Sequence, residues 1–223
     1  LFSETLKAQL NVSDSAVRLS KIEAIWGSGK VSIAEAKVEP FAEGKPLTAG
    51  PVTITGLELP DLIRDLGVHP QAIATWTLRE AHIPEFKGTL EPLSLSGPLT
   101  TQTENFAVFD RSVRAAGRKR MIGLPEALVR GTFAIRTEGV LFQGFTVDSP
   151  RTHLKSTVLI EFKNRISIDI GEGSTVDLAE VGPLVDIPIS GVATVKAEMH
   201  GPISHPKLTG TLSIADFVFA GMP

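Results

Sequence analysis

The stretch ISGVATVKAEMHGPISHPKLTGTLSIADFVFAG, from Ile189 to Gly221, decides how this chain is read. In its first half Ala193, Val195, Ala197 and Met199 alternate with Thr194, Lys196, Glu198 and His200. Beyond Gly201-Pro202, Leu208, Leu212 and Ile214 alternate with Lys207, Thr209, Thr211 and Ser213. Successive side chains of a β-strand point to opposite faces, so each half presents one apolar row and one polar row. The two halves read as strands joined by a Gly-Pro turn.

The same alternation recurs outward from this stretch. It appears at Val17/Leu19, Val52/Ile54, Leu93/Leu95 and Phe133/Ile135, then at Val158/Ile160/Phe162 and Ile166/Ile168/Ile170. Turn signals separate the runs: Gly27-Ser28-Gly29, Glu43-Gly44-Lys45-Pro46, Lys163-Asn164-Arg165 and Gly171-Glu172-Gly173. Gly-Pro recurs at Gly50, Gly97, Gly182 and Gly201, and Gly-Thr at Gly88, Gly131 and Gly210. These phrases read as turn positions of successive hairpins, and their irregular spacing excludes a fixed-period solenoid. Helical spacing is confined to short pieces. Leu59, Leu62, Ile63 and Leu66 precede a stop at Gly67, and Asp177 is placed to cap a second short helix bearing Leu178 and Val181.

Composition narrows the class. Of 223 residues, 42% are hydrophobic and 21% charged, the balance of a globular chain. A net charge of -3 argues against a nucleic-acid partner, whose affinity would come from neutralising phosphates. The absence of cysteine excludes disulfides and thiolate metal sites. No run approaches the roughly 20 apolar residues of a spanning helix. Leu1 to Thr5 has no signal-peptide layout, and the last residues follow directly on a strand. We therefore expect a segment of a longer protein, 1–223, with a subdivision into 1–110 and 125–223 around a basic loop at 111–120.

No catalytic motif emerges, and the expectation is a non-enzymatic protein without cofactor. Gly27-Ser28-Gly29-Lys30 lacks the first glycine of a P-loop, where Ala24 stands, and Val31 replaces the following Ser or Thr. His69, His82, His153, His200 and His205 are scattered without metal-ligand spacing. No Gly-x-Ser-x-Gly elbow occurs, and no carboxylate pair stands out. The run Arg111, Arg114, Arg118, Lys119 and Arg120 offers a candidate contact for phosphate headgroups or an acidic partner surface, against the plainer reading of a solvated loop.

About thirteen strand candidates at ~4.8 Å spacing would stack to roughly 60 Å. Open twisted sheets of more than about ten strands split or curl. The apolar faces then either pack as a filled sandwich or line a trough. The strand count suits a trough, but two packed sheets would also absorb it, so periodicity leaves both open. The trough would be a mostly β, elongated, curled antiparallel or mixed sheet with an apolar inner face and one or two short helices. Its lining would include Val158, Ile160 and Phe162, Ile166, Ile168 and Ile170, and Ala193, Val195, Ala197 and Met199. Leu208, Leu212 and Ile214, with Phe217 and Phe219, would complete it.

Three groups of residues resemble the repeats of the TamB family, within the AsmA-like superfamily. They are Asp177-Leu178-Ala179-Glu180 with Pro183-Leu184, Pro188-Ile189-Ser190-Gly191, and Gly201-Pro202-Ile203-Ser204-His205-Pro206-Lys207-Leu208-Thr209-Gly210-Thr211-Leu212. Gly27 to Ile33 and Gly44-Lys45-Pro46-Leu47 are similar in style, while Leu59 to Gly67 and Arg111 to Arg120 match nothing in it. The resemblance implies a periplasmic β-trough whose parent is anchored in the inner membrane of a double-membraned bacterium. It implies phospholipid acyl chains as cargo and outer-membrane biogenesis as the setting. Alternatives are an outer-membrane protein assembly or secretion factor acting with a BamA-family barrel, a filled β interaction or adhesin module without lipid, and a carbohydrate-active β-helix enzyme. The last would need carboxylates gathered on one strand layer, which the irregular repeat does not supply.

Overall fold

The structure is a computed structural model that describes residues 3–58, 61, 74–109, 120–181, 189–202, 206–214 and 218–219. Strands dominate it. The first group is β1 (Ser3–Val12), β2 (Val17–Trp26), β3 (Gly29–Val38), β4 (Pro46–Glu58), β5 (Ala74–Ile83), β6 (Phe86–Leu90) and β7 (Leu93–Phe109). The second is β8 (Arg120–Arg136), β9 (Gly139–Asp148), β10 (His153–Glu161), β11 (Arg165–Asp177), β12 (Ile189–Ser190), β13 (Val192–Pro202), β14 (Lys207–Ile214) and β15 (Val218–Phe219). A one-turn helix, Leu178–Val181, follows β11.

All but β12 and β15 join one 13-stranded curled sheet, ordered β1-β2-β3-β4-β5-β7-β8-β9-β10-β11-β13-β14. Every pairing among the described residues is antiparallel, so the mixed option falls away. Alternating sequences joined by short turns can only zip to their chain neighbours this way. β5 and β6 share one place in the sheet. β5 pairs with the far half of β4, and β6 with its near half. β7 and β8, on either side of the basic segment, are paired from Ser94↔Arg136 to Phe109↔Arg120.

Several sequence signals read as turns lie inside strands. Gly50 and Gly97 sit within β4 and β7, and Gly88, Gly131 and Gly210 within β6, β8 and β14. Gly171-Glu172-Gly173 is a bulge in β11, where the register shifts between Ile170 and Ser174. Gly201-Pro202 does end its strand, while Gly182, and Leu59 to Gly67 apart from the helical Asp61, lie outside the described residues. The reason is steric. A β-carbon on Gly50 or Gly97 would collide with the Pro84 or Glu85 carbonyl, where the β5–β6 break passes between them. The ring of Phe145 likewise covers Gly131.

Positive φ angles mark Lys21, Gly56, Asn105, Gly144 and Gly173. They fall on β2, β4, β7, β9 and β11, and Gly50, Gly88 and Gly201 add positive φ angles on β4, β6 and β13. Bulges bend the strand that carries them and sharpen its twist. By register, Lys21, Gly50, Gly97, Gly131, Gly144 and Gly173 fall close to one line across the strands, a crease in the curled sheet, while Gly56 and Asn105 lie well away from it along their strands.

The helix is placed as Asp177 predicts. The Asp177 carboxylate accepts from Ala179 N at 2.8 Å, and Leu178 N donates to Gly191 O at 3.0 Å. It packs on β8, three places away in the sheet, over the short β9–β10 turn. Beneath it Thr152, Ser174, Asp177 and Ala193 are buried. Ser174 Oγ donates to Gly171 O at 2.8 Å and accepts from Lys155 N at 2.9 Å, which satisfies the polar groups that the β11 bulge leaves behind.

Candidate functional site

Strand register decides which side chains share a face. Val12 lies opposite Val17, Val17 opposite Val38, and Val38 opposite Leu47. The line continues through Gly88 to Leu95, Ile135, Val140, Ile160 and Ile166, and ends at Gly201. A second line runs from Gly97 through Phe133, Phe142, Val158, Ile168 and Met199 to Leu208. On the other half of the sheet its counterpart is Leu10, Leu19, Ala36, Ala49 and Phe86. The two halves meet where the Phe86 and Phe133 rings stand 6.3 Å apart. A third line joins Leu6, Ala24, Val31, Ile54, Ala81, Thr101, Val129, Val147 and Leu154. Thr101 is its one polar member, and its hydroxyl donates to Glu80 O at 2.9 Å.

These rows run across the strands, along the crease, and build one apolar face. Among the described residues, substantial contacts join neighbouring strands only, apart from the helix on β8. No second described layer covers the face, and most of its aliphatic side chains are half-buried rather than buried. Near β1 the apolar residues are open, with Leu6 68%, Leu10 64% and Val12 66% exposed. The face closes at Leu57, Leu78 and Ala81, a buried cluster with Trp26, Ile54 and Leu99 against it. The Trp76 indole Nε1 is buried without an acceptor.

The opposite face is mostly polar and cross-linked, with a short apolar row of Ala134, Leu141 and Leu159 on it. Arg18 pairs with Glu35 at 3.0 Å, Arg79 with Glu104 at 3.2 Å and Lys196 with Glu172 at 3.2 Å. His153 Nδ1 is 2.5 Å from Asp148 Oδ1, and His200 Nδ1 is 2.7 Å from Ser167 Oγ. Exposed pairs of this kind add little stability each, but they keep this face wet. No group of three metal-ligating side chains occurs among the described residues.

The anticipated lining residues fall into these rows in part. Val158, Ile160, Ile166, Ile168 and Met199 occupy the lines traced above. Ile170 and Ala197 pair with each other, as do Val195 and Leu212, and Ala193 and Ile214. Phe162 differs: β10 ends at Glu161, and Phe162 sits half-exposed in the turn, its N–H donating to Glu138 O at 3.0 Å. Phe219 pairs with Ile189 in the small β12–β15 sheet, apart from the large face. Phe217 and the basic Arg111, Arg114, Arg118 and Lys119 lie outside the described residues, and of Arg120 only its place at the start of β8 is described. Sequence reading missed the near half of the face, from Leu6 to Leu47. The signal was the same alternation, already visible at Val17/Leu19.

No protein-family model matches this sequence, and no curated protein or solved structure is significantly similar to it.

Proposed function

We propose that this chain is a segment of a lipid conduit. The observation that carries the reading is the set of apolar rows, held in register across the sheet and left half-exposed. A filled core would bury those side chains below water's reach.

Acyl chains lie along the rows, across the strands, so the row along a single strand such as Ala193 to Met199 is the width of the channel rather than its path. Each methylene leaving water is worth about 0.8 kcal/mol, and a lining without interruption lets a chain advance without surrendering that contact. Headgroups stay at the wet rim formed by the strand ends. The cargo is phospholipid. The parent is a TamB-like protein in the periplasm, anchored in the inner membrane, that serves outer-membrane biogenesis. Work with a BamA-family barrel in outer-membrane protein assembly is the runner-up role for the same trough.

Lipid extraction and native mass spectrometry of the purified chain test this. Co-purifying phospholipid is the expected result. A ligand-free particle that takes up no lipid from vesicles would mean the face is merely a poorly covered core.

A further inference from the structure

The strands of the large sheet end on two rims, and the two are built differently. On one rim the connections are the turns at 13–16, 39–45, 91–92, 137–138 and 162–164. On the other the chain folds back over strand ends. Asp61, beyond β4, accepts from Ser28 N in the β2–β3 turn at 2.8 Å, and a β-carbon on Gly27 would collide with it. The one-turn helix after β11 packs on β8 across the β9–β10 turn. Burial of the apolar face follows the same polarity. The row nearest the turns, from Val12 through Leu95 to Ile166, contains no buried side chain. The row at the other rim, Leu57, Leu78, Thr103 and Ala127, is buried throughout, and so is Ala193 at that end of β13.

We propose that phospholipid headgroups cross the rim of turns rather than the rim where the chain folds back. The inference rests on the lipid reading above and names the side on which the cargo meets water. A charged phosphate is costly to bury, and the lining reaches solvent at the turns. Two turns on that rim hold phenyl rings out in water: Phe41 is 83% exposed and Phe162 50%. The Phe41 turn is tied down, since Leu90 N and Glu91 N both donate to Gly44 O, at 3.0 and 3.1 Å. Rings held in water are stabilised when an acyl chain, near its glycerol end, covers them. Lys163 stands beside Phe162, exposed and with no carboxylate partner among the described residues. Its neighbour Arg165 is paired with Glu161 at 3.7 Å. Lys163 is therefore the cation placed to meet a headgroup phosphate beside Phe162.

The absence of cysteine makes a direct test available. A nitroxide is attached through Thr137→Cys on the rim of turns or through Pro150→Cys on the other rim, at opposite ends of β9. The full chain is then loaded from phosphatidylglycerol vesicles. The phosphorus-31 resonance of bound lipid broadens several-fold more with the label on Thr137→Cys than with the label on Pro150→Cys. In the unlabelled chain Lys163→Glu lowers the retained phosphatidylglycerol several-fold, with an unchanged circular-dichroism spectrum. Stronger broadening from Pro150→Cys, or equal broadening from both, overturns the choice of rim. Full retention by Lys163→Glu overturns the phosphate contact. A chain that carries no phosphate after loading refutes the conduit reading itself, a result distinct from lipid bound with its phosphate at the other rim.

Discussion

The ring of Phe145 on β9 occupies the space that a β-carbon at Gly131 on β8 would need. Both residues belong to the crease, and the ring is further fixed by Phe142, 5.1 Å away at 52°. Glycine is required here for room, since Gly131 carries no positive φ.

Gly131→Ala should therefore destabilise the chain by about 1–3 kcal/mol through overpacking. Phe145→Leu in the same chain should recover much of that loss, because the colliding ring edge is gone. Urea unfolding of the two single variants and the double gives the coupling. Strict additivity would refute the steric account.

Gly144 is the converse. Its φ is +61° and nothing lies within 4 Å of a β-carbon built there. Gly144→Ala should cost about 1–2 kcal/mol from the left-handed backbone alone. Gly144→Asn should cost less, since asparagine tolerates that region. Equal losses for both would show that space, not backbone, governs the site.

Asp177 caps the helix that covers the β9–β10 turn and accepts from Arg151 at 3.2 Å. The Asp177 side chain is 8% exposed, the Arg151 side chain 71%. Asp177→Ala should cost about 1–2 kcal/mol, as lost caps do. Arg151→Ala should cost under about 1 kcal/mol, because its charge is already in water. Thermal unfolding compares the two, and a larger loss at Arg151 would contradict the capping role.

Val195 and Thr194 are adjacent on β13 and face opposite sides of the sheet. Val195→Arg should reduce phospholipid recovered with the purified chain several-fold, by placing a charge in the lining. Thr194→Arg should leave it unchanged. Equal lipid content in both variants and wild type would remove the channel from this face.

Alternation made the strands legible because the period of two is enforced by backbone geometry wherever one face is apolar. That is why the runs around Ile166, Val195 and Leu212 read correctly. Glycine was harder. Gly27 sits in a turn, while Gly50, Gly97 and Gly131 sit in strands. The local sequence is alike in both cases, and only a neighbouring strand supplies the Pro84 carbonyl or the Phe145 ring that explains the second kind. The length of the face was under-read for the same reason. A row such as Val12, Val17, Val38 and Leu47 exists only once register is known, because its members come from different strands. The short helix was legible at Asp177, whose capping chemistry is local, but its seat on β8 was not.

The crease and the rows separate two dimensions of the trough. Gauge is set within each hairpin, by strand length and by where its bulge or glycine falls. Length is set by the number of hairpins, each adding about 10 Å. Duplicating one hairpin in register would extend the passage without altering its bore, whereas deleting one residue from a single strand would turn that strand's row inside out. Such a protein grows readily by whole hairpins and tolerates single-residue insertions poorly.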